Sequence, residues 1–360
     1  MTTAPTPGRL TLRPGTDVVE SAPGELQYGT DPRWSVRIDG LSDTEARWLR
    51  ERARQGARST AGRGTVAAPS TVAPARQDLI DRALTQAAIL VPLDPRAGTT
   101  TAPAQGAADV AVLSALRADG AGHTTLTARA RRSVAVVGLG RLGVGLAATL
   151  ATAGIGTLVL EDDGVVQTSD VGLGGYRLRD VGSVRRDAAR RVLQDIAPSV
   201  MGGPVHRPDV VVLVEHRVAD PDRARRLMGE GVAHLSVVVR EADVVVGPFV
   251  RPGGTACLRC LDLHRTDADA SWPLVAQQLR DTQRAEPREV EETALAATGA
   301  ALAASQVLAA VDGLMPRAAT ACIEIAVPDT VPRLRETKPH PGCGCTDLGR
   351  AICADRAGPT

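Results

Sequence analysis

Residues 133–163, SVAVVGLGRLGVGLAATLATAGIGTLVLEDD, constrain this chain more than any other stretch. An apolar run, SVAVV, leads directly into Gly138-Leu139-Gly140-Arg141-Leu142-Gly143, and a helical apolar pattern follows as far as Gly154. In such a turn the first glycine permits the tight bend and the second lets backbone come close to an anion. The third lets the helix pack on the strand. The amides that open the helix then face a negative group. A second strand ends at Asp162, nineteen residues after Gly143, where an acid accepts ribose hydroxyls in nucleotide-binding folds. Strand, glycine turn, helix and strand in this order predict a Rossmann-like unit. The geometry also persists in proteins that bind no nucleotide, so the turn alone fixes the fold and not the ligand.

The alternation continues downstream. GSVRRDAARRVLQDIAPSV reads as a helix closed by Pro198, RPDVVVLVE as a buried strand, DPDRARRLMGEG as a helix and AHLSVVVREADVVVGPFV as a strand pair. An Ala-rich helix over roughly 287–314 and the strand ACIEIAV complete the series. Alternating elements of this kind predict an α/β unit with a largely parallel sheet flanked by helices.

The chain is 360 residues long, more than one small core organises, and its first ninety or so residues read differently. Short β-like runs are punctuated by Gly, Pro and Asp. In WSVRIDG, Trp34, Val36 and Ile38 alternate with Ser35, Arg37 and Asp39, as on a half-buried strand. LSDTEARWLRERA then offers a capping box at Ser42 and Glu45, with Leu41 and Ala46 placed as a staple. After a Gly/Ser/Thr/Ala-rich stretch, PARQDLIDRALTQAAILV gives a helix running into a short strand. Strands, helix, helix, strand is the order of a small winged-helix module. The expected organisation is that module over 1–93, a linker with a short helix over 94–131, the Rossmann-like unit over 132–348 and a tail over 349–360.

Composition excludes several function classes. The formal charge is +1, which gives no polyanion-binding field, and aromatic residues make up 2%, so single-stranded nucleic acid would find few stacking platforms. A single lysine, Lys338, stands against 41 arginines, so arginine abundance by itself says nothing of phosphate binding. Runs such as DVVVLV are strand-length, too short to span a bilayer, and no secretory pattern opens the chain. Six cysteines in a chain of this length fit a reducing cytoplasm.

Four of those cysteines form two close pairs, Cys257-x-x-Cys260 and Cys343-x-Cys345, both in Gly/Pro-rich surroundings read as loops. Four thiolates with no open position make a structural zinc site, which ties down a fold and does not catalyse. Unligated thiols are the plainer reading, and the one-residue spacing of CGC is tighter than usual. His264 stands near enough in sequence to compete as a ligand, although a solvated histidine explains it as well.

The glycine turn, the acid closing the second strand and the late cysteine pairs together resemble the ThiF/E1 superfamily over roughly residues 132–348. That resemblance implies an adenylating fold, usually homodimeric, acting with ATP and Mg2+ on the C-terminus of a ubiquitin-like or sulfur-carrier protein. Four departures from the active pattern stand out. Arg141 replaces a glycine in the turn, and DGVVQTSDVGLGGYR lacks the Arg-Gln pair. Arg185 stands where a lysine is expected, and Glu215 and His216 stand where a metal-binding aspartate is expected. Together they imply that the adenylation machinery has lapsed.

With the N-terminal module included, the chain is similar to the ThiF-like cyclodehydratase partner proteins of azoline-containing peptide biosynthesis. The words carrying this are SDVGLGGYRLRDVG, GPFVRPGGTACLRCLDLHRTDADASWP and HPGCGC. The resemblance implies that the first module binds the leader of a precursor peptide while a separate YcaO-type partner uses ATP to cyclise side chains. A leader adds as a strand to a sheet edge in such recognition. Val36, Arg37 and Ile38 on one wall and Arg82 on the other are the expected contacts, with plain core or solvated arginine as the alternative for each. Gly138, Gly140, Gly143, Asp162 and Arg185 would be the nucleotide contacts if any were retained, and no catalytic residue is expected. Two rival readings stay open: an active adenylyltransferase, in which Cys322 or Cys353 is the only candidate thioester former, and a nicotinamide-dependent oxidoreductase.

Overall fold

The computed structural model describes residues 10–13, 16–32, 35–59, 71–92, 106–117, 119–203, 205–285 and 291–346. It divides into two units, Met1–Thr127 and Ala128–Thr360.

In the second unit the strands β6 (Ser133–Val137), β7 (Thr157–Glu161), β8 (Met201–Gly202), β9 (Val210–His216), β10 (His234–Val239), β11 (Asp243–Val250), β12 (Ala321–Ala326) and β13 (Arg333–Glu336) form one sheet. Their order is β13-β12-β11-β10-β9-β6-β7-β8. The sheet is mixed, not largely parallel. Pairs β10–β9, β9–β6, β6–β7 and β7–β8 are parallel, whereas β10–β11, β11–β12 and β12–β13 are antiparallel. The switch comes at the β10–β11 connection, too short for a crossover, which Arg240 and Asp243 close with a paired guanidinium and carboxylate.

The continuous apolar runs are explained by burial on both faces. Val134, Val136, Val212, Val214, Leu235 and Val237 enter the main core, while Ala135, Val211 and Leu213 enter a second cluster with Val232. Helices α5 (Arg141–Thr152), α6 (Arg185–Ile196) and α10 (Thr293–Val311) join the main core. α10 is long and apolar enough to cross a membrane by length and composition, and half of that window is buried inside the fold. A Cβ built on its Gly299 would lie 2.9 Å from Leu142 of α5, so the two helices are in close contact. α5 stops at Gly154, whose φ of +94° is the left-handed conformation that ends helices. Helices α7 (Pro221–Gly229), α8 (Leu258–Ala268) and α9 (Trp272–Ala285) complete this unit.

The first unit has β1 (Leu10–Leu12), β2 (Val18–Ala22), β3 (Glu25–Tyr28), β4 (Val36–Ile38), α1 (Asp43–Ser59), α2 (Pro74–Gln86) and β5 (Leu90–Pro92). β2-β3-β4 form an antiparallel sheet and β1 pairs with β5. The capping box is present: Ser42 N–H donates to Glu45 Oε2 at 2.8 Å, and Glu45 N–H to Ser42 Oγ at 3.4 Å. Leu26, Tyr28, Leu49, Ile80 and Leu84 form the core, with Val36 and Ile38 packed against it. Two helices, α3 (Ala107–Leu116) and α4 (Gly122–Arg129), stand where one short helix was expected.

Candidate functional site: the glycine turn and the cysteine cluster

Each glycine of the turn has a distinct reason to lack a side chain. Gly138 takes φ +90°, and a Cβ there would lie 2.3 Å from the carbonyl oxygen of Val214. A Cβ on Gly143 would lie 2.0 Å from the carbonyl oxygen of Gly138, so helix and strand touch there through backbone. Gly140 differs. Its Cβ would meet the end of a side chain, Glu291 Oε1, at 2.6 Å.

Glu291 was not singled out from sequence, yet it sits on an amide in the first turn of α5. Leu142 N–H donates to its Oε2 at 2.5 Å, and His216 Nε2 lies 2.9 Å from its Oε1. Its side chain is 4% exposed. Arg141, where a glycine is usual, donates through Nη1 to the Glu291 carbonyl at 3.0 Å and to Thr293 Oγ1 at 2.9 Å. A helix N-terminus favours an anion, and here the chain supplies one.

The acid and the cation of the predicted site are likewise held by their own chain. Asp162 follows β7 and accepts from Leu139 N–H through Oδ2 and from Gly164 N–H through Oδ1, each at 2.7 Å. Arg185 opens α6 and is buried. Its Nε and Nη2 donate to Asp170 Oδ2 at 3.0 and 2.8 Å, and Nη1 lies 3.5 Å from Asp162 Oδ2. The Tyr176 hydroxyl stands between the carbonyl oxygens of Leu139 (2.9 Å) and Arg185 (3.1 Å), linking the turn to the start of α6. Gly138, Gly140, Gly143, Asp162 and Arg185 are therefore brought together, bridged by Asp170 and Tyr176.

Beside them opens a crevice of about 640 Å³, lined by Gly138, Asp162, Glu215, His216, Arg223 and Arg284 among others. Glu215, at the end of β9, is 8% exposed and accepts from Asp220 N–H at 3.1 Å. Burial pushes its carboxyl up to about 7.

The cysteine cluster converges from two distant segments. Cys257 caps the N-terminus of α8 and Cys260 lies in its first turn, so this pair sits on a helix end, not in a loop as expected. Sγ–Sγ distances are 3.9 Å for Cys257–Cys260, 3.5 Å for Cys257–Cys343 and 3.3 Å for Cys260–Cys345. Tetrahedral zinc with thiolates near 2.3 Å sets sulfurs about 3.8 Å apart, and all four ligand atoms lie within 4.8 Å of one another. The cluster can hold a metal ion. Burial, and then the neighbouring sulfurs, push the Cys343 thiol up to about 11 and Cys345 above its usual range. Four thiolates at this spot would require a cation.

His264 is not drawn into the cluster; its Nε2 lies 3.1 Å from the Lys338 carbonyl oxygen, where it donates. Cys322 is buried in β12, its thiol pushed up to about 11 by burial, which does not suit a nucleophile. Cys353 lies outside the described residues. In the first unit, Val36 and Ile38 are half-buried against the core, while Arg37 is exposed and donates to Gln27 Oε1 at 2.9 Å. Arg82 is exposed on α2. Among the described strands β4 pairs only with β3, so its other edge is unpaired there.

Residues 114–208 match the ThiF family. No curated protein matches the sequence. Among solved structures, the chain is similar to the microcin C7 biosynthetic enzyme MccB. E. coli MccB with MccA-N7isoASN superposes with a TM-score of 0.67 at 14% identity, covering 94% of this chain and 99% of that one. E. coli MccB with ATP gives 0.64 at 14%, covering 93% and 99%. PaaA gives 0.65 at 16%, covering 89% and 98%. At these identities the likeness is one of fold.

Proposed function

We propose, starting from a chain that carries a ThiF-family domain on a ThiF/E1-like fold, that it recognises a precursor peptide and acts as scaffold partner of a YcaO-type cyclodehydratase in modified-peptide biosynthesis. In this reading it does not adenylate by itself. The observation that carries it is Arg185. The one cation at the position of the family's lysine is buried and spent on Asp170 and Asp162, so its guanidinium is not directed at a phosphate.

The likeness to MccB, solved with MccA, supports a peptide partner. In the first unit, which we read as a winged-helix-type recognition module, an extended leader would add to the free edge of β4 beside Val36, Arg37 and Ile38, with Arg82 of α2 on the other wall. The cysteine cluster, which we assign to zinc, would hold the tail segment to α8 and leave no open coordination position for chemistry. A cytoplasmic location follows from thiols that need a reducing compartment. A homodimer belongs to the same reading. Small residues Gly145, Ala148 and Thr149 of α5 line a groove of about 850 Å³ beside the exposed Leu173, a face suited to close helix approach. Sedimentation of the purified chain tests that part.

A second reading, an adenylyltransferase acting on a peptide or carrier-protein C-terminus, is favoured by the crevice beside Gly138 and by the likeness to MccB solved with ATP. One assay separates the two. A purified YcaO-type enzyme and its precursor peptide are incubated with ATP, with and without this chain, and the peptide is weighed by mass spectrometry. The recognition reading expects loss of one water per cyclised residue to depend on the chain, with no pyrophosphate exchange by the chain alone. Exchange catalysed by the chain alone with a peptide would establish the adenylyltransferase.

A further inference from the structure

We infer that Glu291 is a built-in competitor for the anion site of the glycine turn, and that nucleotide phosphate enters only when its carboxylate leaves. The inference deepens the reading above, giving the absence of adenylation a local cause. It rests on geometry. The second glycine of such a turn leaves space for a pyrophosphate, and in this chain a Cβ at Gly140 would instead meet Glu291 Oε1 at 2.6 Å. The same carboxylate takes the Leu142 amide through Oε2 and faces His216 Nε2 at 2.9 Å through Oε1.

Two further features separate a competitor from a mere helix anchor. The cap of α10 is the neighbouring residue, Glu292, whose side chain accepts from Leu295 N–H at 2.9 Å, so Glu291 is not needed to start that helix. Arg141 grips the Glu291 carbonyl and Thr293, so the substituted position of the turn itself seats the intruding segment. The crevice beside it, about 640 Å³, is of a size that holds small ligands, and Arg186, Arg223, Arg280 and Arg284 line it. Glu161, Asp162, Asp163, Glu215 and Asp220 line it too, Arg186 pairing with Asp163 and Arg223 with Glu215, and Glu291 lies at the turn beside it. A buried carboxylate there opposes a phosphate by like charge and by bulk.

The test uses the full, metal-loaded chain and two variants, Glu291→Ala and Glu291→Gln. Each is titrated calorimetrically with ATP–Mg2+ and, separately, with inorganic pyrophosphate. The alanine variant should bind ATP–Mg2+ roughly a hundredfold tighter than the unaltered chain, the size expected for removing one like charge facing the ligand. The glutamine variant, which loses the charge and keeps the bulk, should gain less. If the alanine variant fails to fold, the glutamine variant alone decides, by gaining or not gaining pyrophosphate binding. Folded variants that bind neither ligand better than the unaltered chain overturn the inference and leave the peptide-recognition reading standing. Tight ATP–Mg2+ binding by the unaltered chain overturns both.

Discussion

The glycine turn and the cysteine cluster are both short motifs that announce a ligand, and the structure treats them in opposite ways. At the turn the donors are met from within: Glu291 takes the Leu142 amide, Asp162 takes the Leu139 amide, and Arg185 is held by Asp170. At the cluster four sulfurs lie within 4.8 Å of one another, three of their pairs at 3.3–3.9 Å. The contrast shows what each motif encodes. A glycine specifies backbone shape, which survives a change of occupant, whereas a cysteine specifies the ligand atom itself.

The contrast breaks first at the cluster. Cys257→Ser should lose the metal and about 5 kcal/mol or more of the second unit's stability, since binding a structural metal is folding free energy. Metal analysis and thermal unfolding check this, and an unchanged melt without metal would leave the four sulfurs as ordinary buried thiols. Next comes Arg185→Ala, which strands two carboxylates and should cost about 3–5 kcal/mol by denaturant unfolding. A near-neutral result would mean that Arg185 is free to serve a ligand after all.

The glycines sharpen the comparison within one motif. Gly138→Ala forces a side chain into φ +90° and onto the Val214 carbonyl, and should cost about 3 kcal/mol. Gly140→Ala meets no backbone and pushes the Glu291 carboxylate from the Leu142 amide, which should cost about 1–2 kcal/mol. Equal costs, read from chemical melts, would mean that Gly140 also answers to backbone.

The effect that depends on pH concerns Glu215. Its carboxyl, normally near 4.5, is raised by burial to about 7. The native state therefore holds a proton that the unfolded state releases, and the contribution to stability is complete below pH about 4.5 and declines until about 7. Glu215→Gln keeps an acceptor for the Asp220 amide and should be more stable than the unaltered chain by about 2 kcal/mol at pH 8, with the difference fading towards pH 4.5. A difference independent of pH would assign the effect to packing.

How much of this was legible follows the same division. Gly138 could be read because only glycine suits φ +90°, and the strands 210–216 and 234–239 because burial on both faces leaves unbroken apolar runs. The strand at 333–336 was missed because its residues, Arg-Leu-Arg-Glu, are all exposed and carry no alternation. Helix α8 was hidden behind Pro252-Gly253-Gly254, which reads as a loop and ends just before it. Glu291 was illegible for a stronger reason. Two glutamates precede Thr293, either suits the first turn of a helix, and nothing in one dimension ties one of them to an amide 149 residues earlier. The departures at 141, 185, 215 and 216 were visible in the sequence, and Arg141 and His216 are the two of them that contact Glu291. Where Glu291 sits appears only in three dimensions.

One measurement weighs both motifs together: the metal content of the purified chain, followed by calorimetric titration of the same sample with ATP–Mg2+. The account predicts one firmly held zinc per chain and no saturable heat. A metal-free chain, or ATP–Mg2+ binding near about 1 μM, roughly −8 kcal/mol, would contradict it.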